Sequence, residues 1–228
     1  MEPTGTPFNN AVWHALTGPQ RTVAERHATA VRFPAEMAPF AAVPDAPTAD
    51  DWYALHTLVG PGGIAVLFRD RVDTPERWGV ELRLPCLQMV AGRDEPAVDV
   101  GAVRLGTADV PEMLDLVERT EPGPFGSRTI ELGTYLGVRH GGALIAMAGE
   151  RLHCEAWREV SAVCTDPGHR GRGLAAALVR ALVTDIHDRG ERAFLQVKTD
   201  NDSAIRLYDA LGFTVCGSAE AVMLRAPR

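Results

Sequence analysis

The sequence offers little to a membrane, to nucleic acid or to a structural metal. Its four cysteines, Cys86, Cys154, Cys164 and Cys216, are scattered through 228 residues with no C-x-x-C and no Cys/His pair at zinc spacing. That argues against a zinc knuckle and a disulfide framework, and predicts four reduced, buried, structural thiols. The first ten residues hold no basic segment followed by an apolar one, so no signal peptide is expected. The longest uncharged, largely apolar run, residues 141–149, is far shorter than the ~20 residues a membrane helix needs. Positive charge is also short: the net charge is -7, which argues against nucleic acid and anionic membrane as partners. A cytoplasmic protein is expected.

What is present is ordinary for a globular chain, with 46% hydrophobic and 23% charged residues. The length suits one large domain or two small ones, either able to bury a core. Two stretches look like joints. Residues 33–48 carry Pro34, Pro39, Pro44 and Pro47, which predicts no regular structure through them. Residues 91–96 are polar, end in Pro96 and follow an apolar run, so the boundary is set there, dividing the chain into 1–97 and 98–228.

In the first part the pattern predicts helices at 10–16, 20–26 and 50–58, and strands at 28–33, 64–68, 80–84 and 87–90. Gly60-Pro-Gly-Gly63 is read as a turn, because β-type residues rather than a helix follow it. In the second part a strand at 98–105 precedes a helix opened by Thr107 with Pro111 in its first turn. A meander follows at 129–139, 143–148 and 157–164, with turns at 140–142 and 149–150. Then the period changes. Leu174, Leu178, Leu182 and Ile186 recur every four residues, giving a helix with a broad apolar stripe that Gly190 stops. Strands at 193–197, 213–216 and 221–225 enclose a helix at 202–211. The class is α/β (α+β), with a mixed sheet.

The segment Val163-Cys-Thr-Asp-Pro-Gly-His-Arg-Gly-Arg-Gly-Leu-Ala175 carries the chemistry. A strand runs into a glycine-rich loop and the long helix begins at once. Such a helix start presents unpaired N–H groups and the positive end of the helix dipole. Gly171 and Gly173 let the backbone approach an oxygen, and Arg170 and Arg172 add charge-assisted donors. The physical reading is a pyrophosphate-binding turn, although a helix start that merely needed glycines would share much of the pattern. It is neither a Walker loop nor a Rossmann fingerprint.

Arg170-x-x-Gly173-x-Ala175 resembles the acetyl-CoA signature of the GNAT acetyltransferase superfamily. Asn201-x-x-Ala204-x-x-Leu207-Tyr208-x-x-Leu211-Gly212-Phe213 is similar to its second hallmark. The resemblance covers roughly residues 98–225 and looks nearest to the glycine-N-acyltransferase-like branch, whose members often carry a degenerate GNAT-like half in front. It implies a mostly antiparallel GNAT-type sheet flanked by helices, preceded here by such a half at 1–97. It also implies a V-shaped opening holding acetyl-CoA as co-substrate. The backbone of Val163, Cys164 and Thr165 would pair with the pantetheine arm. The amides of Arg170, Gly171, Arg172, Gly173, Leu174 and Ala175 would hold the pyrophosphate, and Asn201 would reach the cofactor. Tyr208 stands where the family places its general acid.

Glu159 lies eleven residues before Arg170, an offset resembling that of the base in histone-acetylating members. Period-two spacing puts it on one face with His153 and Glu155, so each is a candidate base, while an exposed glutamate paired with Arg158 is the plainer reading. No metal site is expected from the histidines. The expected activity is acetyl transfer to a primary amine in a ternary complex. A non-catalytic acyl-CoA sensor, a longer acyl donor and a hydroxyl acceptor stay open, as do the acceptor and a homodimer.

Overall fold

The computed structural model describes residues 7–92 and 99–228. In chain order it contains α1 (Ala11–Thr17), β1 (Glu25–His27), β2 (Ala30–Arg32), β3 (Phe40–Ala42), α2 (Ala49–Val59), β4 (Ile64–Arg69) and β5 (Gly79–Ala91). Then come β6 (Val103–Arg104), α3 (Val110–Thr120), β7 (Tyr135–His140), β8 (Ala143–Cys154) and β9 (Trp157–Thr165). Last are α4 (Leu174–Asp188), β10 (Arg192–Lys198), α5 (Asp202–Ala210) and β11 (Phe213–Arg225). These strands form one 11-stranded sheet in the order β1-β2-β3-β4-β11-β5-β10-β9-β8-β7-β6.

Apart from β6, that order reads alike from both ends. Going inward from either edge, two antiparallel pairings lead to one parallel pairing: β3 with β4 at one end and β9 with β10 at the other. A helix, α2 or α4, supplies the crossover that a parallel pair requires. At the centre β5 and β11 run antiparallel, and each lies between the other half's strands. Hydrogen bonding is therefore continuous across the division expected at 97/98. Most of the polar joint expected there, residues 93–96, lies outside the described residues, as does residue 98, where the next strand was expected to begin.

The core follows from the alternation within these strands. Phe194 on β10, Phe40 and Ala42 on β3, and Val66 and Phe68 on β4 face one side, where α1 and Phe8 cover them. Leu195 and Val197 face the other side beneath α4 and α5, and Ala65 and Leu67 lie there beneath α2. The stripe expected on α4 is real: Leu178, Leu182 and Ile186 are fully buried against the sheet.

Pairing partners distant in sequence revise several expectations. Residues 80–84 and 87–90 are one strand, β5, because β11 pairs along its whole length. Pro85, with no N–H, marks where the ladder to β10 stops, since that ladder ends at Cys86. Likewise 213–225 is one strand with a bulge near Val215. Residues 20–26 form turns and β1 rather than a helix, and the proline-rich stretch holds the three-residue β3 between Pro39 and Pro44. β8 continues through Gly149 and Glu150 to Cys154, and a 3-10 turn, Thr129–Leu132, precedes β7. Cys86, Cys154 and Cys164 are buried thiols, but Cys216 is exposed. Among the described residues, no helix is long and apolar enough to cross a membrane, and no cluster of His, Cys, Asp and Glu is arranged for a metal ion.

Candidate active site

The two motif regions meet where β9 leaves β10. Their parallel ladder runs from the Trp157–Arg192 pair to the Val160–Leu195 pair and stops, although β9 continues to Thr165. The cause lies in β9. Ala162 sits at φ +53°, and three steps along β9, from Ser161 to Cys164, face only two along β8. A bulge of this kind bends its strand and re-aims the residues beyond it. Past the bend, residues 161–165 have no strand on the side that faces β10. Val163, Cys164 and Thr165 thus line an unpaired strand edge, which suits an extended amide-bearing chain. Cys164 contributes only backbone there, because its thiol is buried against the α3 side and burial raises its pKa.

β9 feeds directly into the glycine-rich loop. Asp166 accepts from the Gly168 N–H at 3.0 Å and pairs with Arg119 at 3.1 Å, folding the loop's first turn. Gly171 and Gly173 lie at φ +74° and +75°. A Cβ at either would meet nothing within 4 Å, so backbone conformation rather than crowding calls for glycine. Gly173 is the N-cap of α4 and supplies no side chain, and the first internal bond runs from the Ala177 N–H to the Gly173 carbonyl. The amides of Leu174, Ala175 and Ala176 are therefore left without intrahelical acceptors, at the positive end of the helix dipole. Arg170 and Arg172 are exposed beside them, resting on the loop carbonyls of Thr165 at 3.2 Å and Gly168 at 3.4 Å. Unpaired amides and two guanidinium groups together fit a pyrophosphate.

Asn201 and Tyr208 lie on the next helix. Asn201 caps α5, its Oδ1 accepting from the Ala204 N–H at 3.1 Å, which leaves its NH2 as the part able to reach a ligand. Tyr208 packs its ring against Phe213 at 5.7 Å, within the core that includes the first turns of α4. Its hydroxyl makes no hydrogen bond to the described residues. Burial pushes its pKa up to about 12, so the phenol carries its proton throughout the neutral range.

Glu159 is placed differently from the expectation. It is 1% exposed, not an exposed glutamate beside Arg158, and both carboxylate oxygens are held by Arg151 at 2.7 and 2.9 Å. Arg158 pairs with Glu191 instead. Glu159 does not share a strand face with His153 and Glu155, because a hairpin turn intervenes. His153 lies on β8, opposite Arg158 rather than Glu159, and Glu155 occupies the turn at φ +50°. Sequence reasoning missed Arg151, and also Gln196, which donates to Glu159 from β10 at 3.3 Å. Nothing local in the sequence marks either residue, since their meeting depends on strand register.

The first half encloses this region. Phe40 lies under the Arg151 guanidinium at 4.8 Å, and Gln20 donates to the Arg151 carbonyl at 2.8 Å. The loop that follows α3, residues 121–128, is tied to the first half where it ends. There the Arg128 N–H donates to the Glu36 carbonyl at 2.9 Å, and the Thr129 hydroxyl donates to the Met37 carbonyl.

Comparison with known proteins identifies the family. The model of a family described as FR47-like protein matches residues 135–222, the stretch from β7 into β11. The N-alpha-acetyltransferase RimI of Mycobacterium tuberculosis is 34% identical over 54% of this chain and 83% of its own length. The chain belongs to the GNAT acetyltransferase superfamily. It is an acyltransferase of the GNAT type. A mycothiol acetyltransferase from Thermobispora bispora is 34% identical over 62% of this chain, but the match spans only 48% of that relative. Over the whole fold, a crystal structure assigned to the GNAT family, from Novosphingobium aromaticivorans, superimposes with a TM-score of 0.90. It is 38% identical and covers 98% of this chain and all of its own. This GNAT protein thus shares both halves of its sheet with a solved structure.

Proposed function

We propose that this GNAT protein moves the acetyl group of acetyl-CoA to a primary amine by direct attack in a ternary complex, as a cytoplasmic enzyme. One observation carries the reading: the uncapped glycine start of α4 lies at the end of the strand edge that the β9–β10 splay leaves unpaired. A pyrophosphate at the first and an amide-bearing arm along the second bring a thioester to the vertex of the splay. Residues 163–165 and 170–175 are the proposed contacts, with Asn201 closing the site from α5.

The amine nitrogen attacks the thioester carbonyl and forms the C–N bond. The C–S bond breaks, the nitrogen sheds a proton and the departing thiolate takes one up. Tyr208 is the proposed donor to sulfur, because its phenol is protonated and otherwise unengaged. Glu159 is a poor candidate for abstracting the amine proton, since Arg151 occupies both its oxygens.

We also propose that residues 1–97 are a degenerate GNAT-like copy, as in the glycine-N-acyltransferase-like branch. The strand order that repeats from both ends of the sheet supports this.

The deciding experiment is acetyl-CoA turnover against peptides with free N-termini, amino acids and amino sugars, with acetylated product read by mass spectrometry. Product from one class establishes the transfer and names the acceptor. Tight acetyl-CoA binding with no product from any class would replace this reading with that of an acyl-CoA sensor.

A further inference from the structure

At the vertex of the splay one buried polar atom has no partner. Gln196 follows Leu195, which makes the last pair between β10 and β9, so it occupies the first rung at which β9 has turned away. It projects on the same side as Phe194 and Glu159, the side covered by the first half and by α3. Its Nε2 donates to Glu159 Oε1 at 3.3 Å, while its Oε1 is buried and takes no hydrogen bond.

The orientation of this amide is not free. A carboxylate only accepts, so Glu159 must face the NH2 end of Gln196. Glu159 is itself fixed by the two-pronged bond from Arg151, which rests on Phe40. Arg151 therefore sets Glu159, Glu159 sets Gln196, and the carbonyl oxygen of Gln196 is turned away from both. Buried carbonyls without a donor are rare because the lost hydration is not recovered. One kept at the point where a ligand arm must end is suited to a donor that arrives with a reactant.

Resting on the transfer proposed above, we infer that Gln196 Oε1 receives an N–H of the acceptor amine, with Arg151 and Glu159 as positioning residues for it. The amine has an N–H to offer at the vertex and must hold its lone pair toward the thioester. An acceptor on one of its hydrogens orients that lone pair. The amides of the pantetheine arm lie farther along the cofactor, beside residues 163–165 in the proposed geometry.

The test uses the full chain and the amine identified by the panel above. Gln196→Leu should raise KM for that amine about tenfold or more, the loss expected for one hydrogen bond in a buried site. The acetyl-CoA Kd should stay within about twofold by calorimetry. Gln196→Glu should do worse, by setting two carboxylates against each other. Gln196→Glu combined with Glu159→Gln moves the charge across the pair, keeps an acceptor oxygen outward and should recover a lower KM than Gln196→Glu alone. A structural role would change the melting temperature without this recovery. Unchanged amine KM in Gln196→Leu would overturn the inference, and so would a loss confined to acetyl-CoA affinity. Wild type that acetylates nothing in the panel would instead overturn the proposed transfer itself.

Discussion

Two loops hold matching places in this sheet, and they have opposite chemistry. Each follows the outer strand of a parallel pair and opens the crossover helix: residues 166–173 between β9 and α4, and residues 43–48 between β3 and α2. The first has glycines at φ +74° and +75°, two arginines and an uncapped helix start. The second has two prolines, no glycine and a helix start that is already satisfied. Thr48 and Asp51 form a capping box, and Asp50 adds a second acid to the first turn. Carboxylates there fill the donors and the positive end of the dipole that an anion would need. The halves also differ downstream. α5, with Asn201 and Tyr208, joins β10 to β11, whereas no helix joins β4 to β5. Duplicated strand order therefore fixes a frame, and the chemistry of a short loop decides whether that frame can take a phosphate.

The largest expected effect concerns the missing counterpart of α5. Tyr208→Phe should lower kcat by about 100-fold or more, the usual weight of a general acid, with acetyl-CoA Kd and melting temperature little changed. The hydroxyl makes no hydrogen bond to the described residues, so its removal leaves no partner unsatisfied. Wild-type turnover would remove Tyr208 from the chemistry. Next, Gly173→Asp gives the α4 loop an acid of the kind that caps α2. It should weaken acetyl-CoA about 100-fold by calorimetry, through the lost amide contacts and the added repulsion. An unchanged Kd would mean that the loops do not differ in the way proposed. Arg170→Ala should cost about tenfold in Kd, less at high salt, because its guanidinium is exposed. The same titrations should give one acetyl-CoA per chain, and two would break the contrast between the halves.

How much of this was legible in the sequence depends on distance along the chain. The glycine loop, the α4 stripe and the Asn201–Tyr208 helix are local patterns, and each lies where its spacing put it. The extent of β5 and β11 was not legible, because two strands more than a hundred residues apart define each other. Glu159 shows the same limit within the site. Its spacing suggested a base, but its partner Arg151 is on the neighbouring strand and its ring support, Phe40, is in the other half. Gln196 carries no local signal, since its free carbonyl exists only where β9 bends away from β10.

The smallest effect on the ligand should come from the α2 loop, and it sharpens the comparison by showing what the acids there do. Asp51 accepts from the Thr48 N–H at 2.7 Å and from the hydroxyls of Thr48 and Thr29. The Thr29 hydroxyl, followed by the Thr48 bonds, holds its carboxyl below the usual range. Asp51→Ala should cost about 2 kcal/mol, since it leaves donors unpaired at a helix start, and should lower Tm by roughly 4–8 °C. A depressed folded pKa means that the unfolded chain binds the proton more readily. The contribution is therefore complete above the ordinary aspartate value of about 4 and fades as pH falls through the lower folded value. Wild type and Asp51→Ala should thus converge in stability below about pH 4 while differing at pH 7. Acetyl-CoA affinity at pH 7 and 25 °C should be the same in both. A matching loss of affinity would mean that the α2 loop takes part in the cofactor site, contrary to its chemistry.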